Sequence, residues 1–397
     1  MQQIKNVKSK CLLSVLASVC SVNVIAEEIV KANIDMRMRY ESVDQSNALQ
    51  DADALTLRTR VSVSTKVVEG FSAHIDMEDS RSLFGVDDYN NTLGDNRQFS
   101  VIADPETTEV DQAFVQYKNK GFKAKVGRQV MTYDGHRFVG HVGFRQDRQT
   151  FDGLSLSYQA NKDLSLNYAY IGKRNRIFSD EKDIDSKDHL INIAYQTSIG
   201  KLVAYSYMLE LDQGNGATND SYGFSFKGKQ SFDDIKFLYD LEYATQTQKA
   251  AGSDFDADYQ KLELGVQASG LTAKLGYELL GSDGGQYGFS TPLATLHKFN
   301  GWTDQFLGTP KQGLEDVYVS LAGKVDSAKW MVVYHDFSAD ESSPGLNDLG
   351  SELGVQVVMP FAKKYSVGLK YATYEAGDVA AGKVDTDKLW LWLGAKF

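Results

Sequence analysis

The sequence predicts an all-β fold: a transmembrane antiparallel up-and-down β-barrel of about 18 strands, with short turns at one end and long loops at the other. Three observations predict it. Apolar and polar residues alternate with period two along most of the chain, the mark of strands whose two faces meet different surroundings. Short turns alternate with long polar loops, as in barrels of the outer membrane. The last strand is itself alternating: Leu389, Leu391, Leu393, Ala395 and Phe397 interleave with Lys388, Trp390, Trp392, Gly394 and Lys396.

The first 26 residues differ from the rest. Lys5, Lys8 and Lys10 form a basic start, residues 11–20 (CLLSVLASVC) an apolar run, and Val24-Ile25-Ala26 a small-residue cleavage site. This reads as a secretory signal peptide over 1–26, with the barrel over 27–397. The apolar run is too short to span a bilayer as a helix. Both cysteines lie inside the segment, so the mature chain needs no disulfide and no thiolate metal site. Losing three lysines and no acid moves the net charge from −11 to −14. Such an acidic chain is not built to hold nucleic acid.

Alternation begins at once. Ala32, Ile34, Met36, Met38 and Tyr40 take one face of the first segment, and Asn33, Asp35, Arg37, Arg39 and Glu41 the other. The pattern predicts strands near 30–43, 54–67, 71–79, 109–118, 122–130 and 150–160. It continues at 164–173, 188–198, 201–211, 220–229, 234–247 and 258–268, then at 271–280, 314–325, 329–337, 350–359, 365–375 and 386–397. Many reach the roughly 9–11 residues a tilted strand needs to cross a bilayer. Turns such as Val68-Glu69-Gly70 and Asn119-Lys120-Gly121 separate them on one side. Loops at about 80–108, 131–149, 174–187, 281–313 and 338–349 separate them on the other.

Lipid offers nothing to an unpaired amide, so a spanning sheet must close. At this strand number side chains cannot fill the interior, which should hold water. Phe71, Tyr117, Phe122 and Tyr365 fall beside short turns, and Tyr170, Tyr243 and Tyr277 near the opposite strand ends, where aromatic girdles belong.

Several stretches resemble the alginate-export porin family of Gram-negative outer membranes: 54–61 ALTLRTRV, 70–79 GFSAHIDMED, 110–117 VDQAFVQY, 126–152 VGRQVMTYDGHRFVGHVGFRQDRQTFD, 167–178 NYAYIGKRNRIF and 292–310 PLATLHKFNGWTDQFLGTP. The long 126–152 and 292–310 motifs are the specific ones. The resemblance implies a single 18-stranded barrel with an electropositive pore for a polyanionic uronate polymer. The final Phe397 resembles the signal read by the barrel-assembly machinery. One feature departs from the resemblance. The dedicated exporter carries a long periplasmic loop that acts as a lid, whereas the longest turns expected here, near 230–233 and 360–364, are short.

All 12 arginines fall between Arg37 and Arg176. Arg37 and Arg39 share the polar face of the first strand, Arg58 and Arg60 that of the second, and Lys123 and Lys125 that of the fifth. Parity points them into the lumen, since a basic side chain facing lipid at midplane costs roughly 2–4 kcal/mol. Arg128 has the parity of lipid-facing Phe122, Ala124 and Val126, but Gly127 reads as a bulge that resets the phase, which assigns Arg128 to the lumen with the other pore-lining cations. Asp76 and Glu78 stand on the polar face of the third strand. The basic set therefore either selects anions or forms a charge ladder that stiffens the wall. Loops 131–149 and 281–313 are candidates to fold inward, carrying His136, Arg137, Arg145, Arg148, His297, Lys298 and Trp302. Phe299 and Trp302 could stack on sugar rings, or the loops could pack on one another and cap the barrel. The loop acids Asp87, Asp88, Asp180, Glu181, Asp183 and Asp185 read as solvated charge, and no calcium-loop spacing or other metal site is present.

The six histidines are scattered and no catalytic motif holds them, so neither an enzyme nor a cofactor is expected. The leading expectation is a passive porin for small hydrophilic anions such as oligouronates. Alternatives are a secretion pore for alginate or another exopolysaccharide, and a surface binding or adhesion barrel with a blocked lumen. Expected partners are outer-membrane lipid, lipopolysaccharide, the barrel-assembly machinery and the solute.

Overall fold

The computed structural model describes residues 30–214 and 216–397. The expected signal segment 1–26 lies outside the described residues. Eighteen strands form one sheet. They are β1 (Val30–Gln45), β2 (Ala52–Thr65), β3 (Phe71–Asp88), β4 (Thr107–Asn119), β5 (Phe122–Gln129) and β6 (Thr150–Gln159). Then come β7 (Leu164–Asn175), β8 (Ile184–Gln196), β9 (Gly200–Glu210), β10 (Thr218–Phe232), β11 (Ile235–Ala250) and β12 (Ser253–Ala268). The last six are β13 (Leu271–Leu280), β14 (Leu314–Val325), β15 (Ala328–Ser343), β16 (Leu346–Phe361), β17 (Tyr365–Glu375) and β18 (Thr386–Lys396).

Each strand pairs antiparallel with its neighbours in the chain, and β18 returns to β1 from Asp35↔Lys396 to Gln45↔Thr386. That last pairing closes the barrel and leaves no edge. Phe397 completes the seam by exchanging backbone hydrogen bonds with Ile34 at 2.9 and 3.0 Å.

Burial follows parity. On β12, Leu262, Leu264 and Val266 are exposed while Ala257 and Tyr259, of opposite parity, are buried. The exposed series faces outward and the buried series inward, the reverse of a soluble core. At the end with short turns, Phe71 packs on Tyr117 at 4.8 Å between ring centroids, Phe361 on Tyr365 at 5.6 Å and Tyr365 on Phe397 at 6.1 Å. At the other end outward tyrosine hydroxyls cap carboxylates: Tyr277 donates to Glu315 at 3.0 Å and Tyr371 to Asp387 at 2.8 Å. Amphipathic rings thus mark both water–lipid boundaries.

The expected loop at 338–349 is instead the tip of a hairpin: β15 runs to Ser343 and β16 resumes at Leu346. Likewise β3 continues to Asp88 where a loop was expected from 80. Both extensions rise past the apolar band. Ala339 and Leu349 still face the packed interior, but residues 340–345 at the tip are exposed on both faces, so the ribbon persists there while its alternation stops.

A single outward substitution tests the two-solvent geometry. Leu262→Arg puts a guanidinium on the lipid face and should lower refolding stability in bilayers by about 2–4 kcal/mol, read from urea titration in lipid vesicles. Gln260→Arg, nearer the loop end on the same face, should cost less.

Candidate functional site

Two loops enter the barrel from the loop end and meet inside it. Loop 130–149 follows β5, and loop 281–313 follows β13. Val139 forms a parallel bridge with Leu293, Gly140 donates to the Leu293 carbonyl at 2.8 Å, and Thr295 donates to the His136 carbonyl at 3.0 Å. Phe138, Phe289, Leu293 and Phe306 bury their side chains against inward residues of the wall. The interior near the loop end is therefore packed with protein.

Ion pairs fasten this seam to the wall. Arg37 donates to the carbonyls of Gly143 (3.2 Å), Phe144 (2.9 Å) and Arg145 (2.5 Å) and to the Gln146 side chain at 3.1 Å. Arg39 pairs with Asp104 and, at 3.1 Å, with Glu41. Arg145 reaches both oxygens of Glu41 and one of Asp304, each at 3.0 Å. Burial opposes the Arg145 charge, but Glu41, Asp104 and Asp304 outweigh it and push its pKa up. Arg148 holds Asp111 and, at 3.1 Å, Asp76. Arg137 spans from Glu278 at 2.9 Å to Asn300 at 3.0 Å.

From the far wall, Glu352 accepts the Trp302 amide and both the amide (2.9 Å) and hydroxyl (2.6 Å) of Thr303. That approach requires Gly301, whose φ is +88° and whose Cβ would lie 2.5 Å from the Glu352 carboxylate. His297 lies between Asp304 (2.7 Å) and Lys370 (3.2 Å), stacked on Phe144 and edge-on to Trp390.

The lumenal wall from β5 to β13, toward the turn end, has a different character. One cavity of about 340 Å³ includes Lys123, Lys125, Asn167, Asn192 and Lys201 in its lining. Lys123, Ser157, Asn167 and Asn192 form one inward row across β5 to β8. A second cavity of about 410 Å³ is lined by Lys201, Lys227, Asp240, Glu263 and Lys274 among others. Lys123 and Lys125 make no ion pair among the described residues, while Lys227 pairs with Asp240 at 2.6 Å and Lys274 with Glu263 at 2.8 Å. Lys298, on loop 281–313, donates to the Gly135 carbonyl at 2.7 Å. Its pKa is lowered, first by burial and then by Lys227, Lys261 and Lys274.

The sequence-selected residues thus divide. Arg37, Arg39, Arg145 and Trp302 belong to the seam, and Trp302 is 6% exposed. Arg58 pairs with Asp35, and Arg60 with Glu78 and Asp111. Asp76 also takes His74 at 3.0 Å. Lys123 and Lys125 line the first cavity, and Lys298 is held by the Gly135 carbonyl. Arg128 carries the outward parity of exposed Val126 and chelates Asp152 at 2.8 and 3.0 Å. The register across β5 runs through Gly127 with no shift, so the phase reset needed to turn Arg128 inward does not occur. Sequence reasoning passed over Asp134, Lys201, Lys227, Lys261 and Lys274. Parity could have found the lysines: Lys227 alternates with exposed Phe224 just as Lys123 does with Phe122.

Residues 29–283 match the family described as alginate export. In fold, the chain is similar to OccK9 (OpdG) of Pseudomonas aeruginosa, at TM-score 0.74 and 13% identity over 93% of this chain and 98% of that one. It is similar to OccAB3 of Acinetobacter baumannii at TM-score 0.72 and 14% identity, over 93% and 99% of the two chains. It is similar to P. aeruginosa OpdK, solved with vanillate, at TM-score 0.72 and 14% identity over 92% and 98%. No curated protein matches. Fold and family together make this a porin-like barrel of the Gram-negative outer membrane.

Two outcomes follow from the seam. Removing one partner of a buried pair costs about 3–5 kcal/mol, so Arg145→Ala should loosen both loops, raising single-channel conductance and current noise and speeding proteolysis within 130–149. Acid should act the same way. Burial first, and Lys370 next, against the opposing pull of Asp304, lower the His297 pKa from 6.5 to about 3. The released loop binds the proton more readily than the docked one. Stability from neutral His297 is therefore complete above about pH 6.5 and is lost as pH falls toward 3. Asp304, held well below 3.8 by Lys388, His297 and Arg145 against the effect of burial, adds its loss only at lower pH. Channel noise should rise between pH 6.5 and 4, and His297→Gln should flatten that rise.

Proposed function

Because the chain belongs to the alginate-export family of outer-membrane barrels, we propose that it is a passive, anion-preferring channel for small hydrophilic carboxylates, with oligouronates as the leading class. One observation carries this reading. Inward lysines stand directly opposite one another on neighbouring strands at three places near the turn end: Lys118 with Lys123, Lys201 with Lys227, and Lys324 with Lys329. Like charges directly opposed destabilise a sheet. Lys201 and Lys227 are matched by Asp134 and Asp240, but Lys118, Lys123, Lys324 and Lys329 have no ion-pair partner among the described residues, where a wall built for rigidity alone would set acids. A lysine-lined passage within low-dielectric walls concentrates anions.

The wall between these lysines suits sugar acids. Ser155, Ser157, Ser165, Asn167 and Asn192 supply hydroxyls and amides beside Lys123 and Lys125, and uronates carry many hydroxyls and one carboxylate per ring. Vanillate, the ligand of the structurally similar OpdK, is also a carboxylate. Catalysis and bound cofactors form no part of this reading. In it, Phe397 serves the barrel-assembly machinery, and the rings at both rims meet lipid and lipopolysaccharide.

A surface-binding barrel with a blocked lumen is the second reading, favoured by the packing of Trp302, Phe306, Phe337 and Tyr374 near the loop end. It predicts negligible conductance from a correctly folded barrel. Planar-bilayer recording under a salt gradient separates the two. The channel reading expects a reversal potential on the chloride side. Reversing four lysines (Lys118→Glu, Lys123→Glu, Lys324→Glu, Lys329→Glu) should lower the anion/cation permeability ratio roughly tenfold. Cation preference in the unaltered protein would defeat the proposal.

A further inference from the structure

One carboxylate lies among the lysines, amides and hydroxyls of the first cavity, and it belongs to the loop. Asp134 accepts from Lys201 Nζ at 2.7 Å and from Asn192 Nδ2 at 2.5 Å. Lys201 is the one residue that lines both cavities, so this ion pair stands between them. The pair is open to solvent, with 46% of the Lys201 side chain and 18% of the Asp134 side chain exposed. The backbone beneath it is unusual. Asp134, Gly135 and His136 have φ of 39°, 85° and 75°, three left-handed residues in succession. Aspartate is among the few side chains that tolerate that conformation, and here its carboxylate is delivered to a lysine and an amide on the opposite wall.

We propose that Lys201 and Asn192 form a docking station for the carboxylate of a passing solute, and that Asp134 is its built-in competitor. The loop carboxylate fills the station when the channel is empty. A uronate or other hydroxy-carboxylate arriving from either cavity exchanges with it, its carboxylate taking the Lys201 ammonium and Asn192 amide while its hydroxyls meet the serines and Asn167. The loop tip then stays tethered through Lys298, which donates to the Gly135 carbonyl. An exposed ion pair of this kind is worth at most about 1 kcal/mol, weak enough for a solute to displace. Asp134 thereby keeps the lysine from holding anions too long, as conduction requires.

This inference rests on the anion-channel reading, and the test separates the two. Glucuronate and glucose are titrated as blockers of single-channel current in planar bilayers for the unaltered protein, Asp134→Asn and Lys201→Gln. Asp134→Asn keeps an acceptor for Asn192 and removes the competing charge. It should raise apparent glucuronate affinity about fivefold, the equivalent of about 1 kcal/mol, and leave glucose unchanged. Lys201→Gln should weaken glucuronate block, and should cancel the gain when combined with Asp134→Asn. A cation-selective unaltered channel would overturn the parent reading. An anion-selective channel whose glucuronate affinity is the same with and without Asp134 would overturn the docking station alone. Should Asp134→Asn fail to assemble, Lys201→Gln decides: block unaffected by that change also overturns the station.

Discussion

Backbone amides inside a bilayer have no water to bond, and this constraint governs the rest of the molecule. It forces the first and last strands together along the register from Asp35↔Lys396 to Gln45↔Thr386. Once the sheet is closed, parity becomes binding, because a side chain has only lipid or lumen to choose between. That is why Leu262, Leu264 and Val266 stay exposed while Ala257 and Tyr259 are sealed. The ladder, not the interior, holds the cylinder together, and the interior is left available for charges a soluble core would not tolerate.

Two kinds of cation use that interior differently. The arginines end at Arg176, and those at the seam are committed to protein partners. The planar guanidinium of Arg37 reaches three successive loop carbonyls, and that of Arg145 spans Glu41 and Asp304. A fork of five donors fixes geometry in a way a single ammonium does not. The lysines stand chiefly where water remains. A hydrated ammonium on a flexible stem holds a passing anion loosely, which suits a wall that must also let go. Arginine fastens the infolded loops, and lysine lines the cavities beneath them.

The barrel was legible because each strand carries its own evidence. The alternation of β1, β11 or β18 needs no knowledge of any other residue, and the turn and loop pattern orders the strands around the ring. The seam was legible only as a suggestion. Arg145, Lys370 and the His297–Asp304 pair come from three separate parts of the chain, and nothing local to any of them announces that they meet. Arg39 reads as lumenal by parity; Glu41 beside it is on the same strand, but the Asp104 that seals it comes from the connection between β3 and β4, which nothing local to Arg39 announces. The hairpin at 343–346 was missed because alternation vanishes where water lies on both sides. Arg128 illustrates the converse: strict parity predicted its outward placement, and the bulge invoked to bring it inward is absent from the register.

Opposed lysines would be hard to explain in a protein whose stability came from its interior. Here Lys201 faces Lys227 and Lys118 faces Lys123 within a ladder of hydrogen bonds that lipid makes obligatory. Each pair costs the sheet only the fraction of a kcal/mol typical of cross-strand contacts, against the much larger cost of leaving spanning amides unpaired. The membrane therefore stabilises the fold enough to let the lumen be electrostatically frustrated. Unmatched charge on the inward face at the turn end is a field directed at whatever enters the water there. The seam arginines are matched by acids, as are Lys201 by Asp134 and Lys227 by Asp240, while Lys118 and Lys123 have no ion-pair partner among the described residues. A loop that must stay in place needs its charges matched, whereas a wall that faces water tolerates leaving them over.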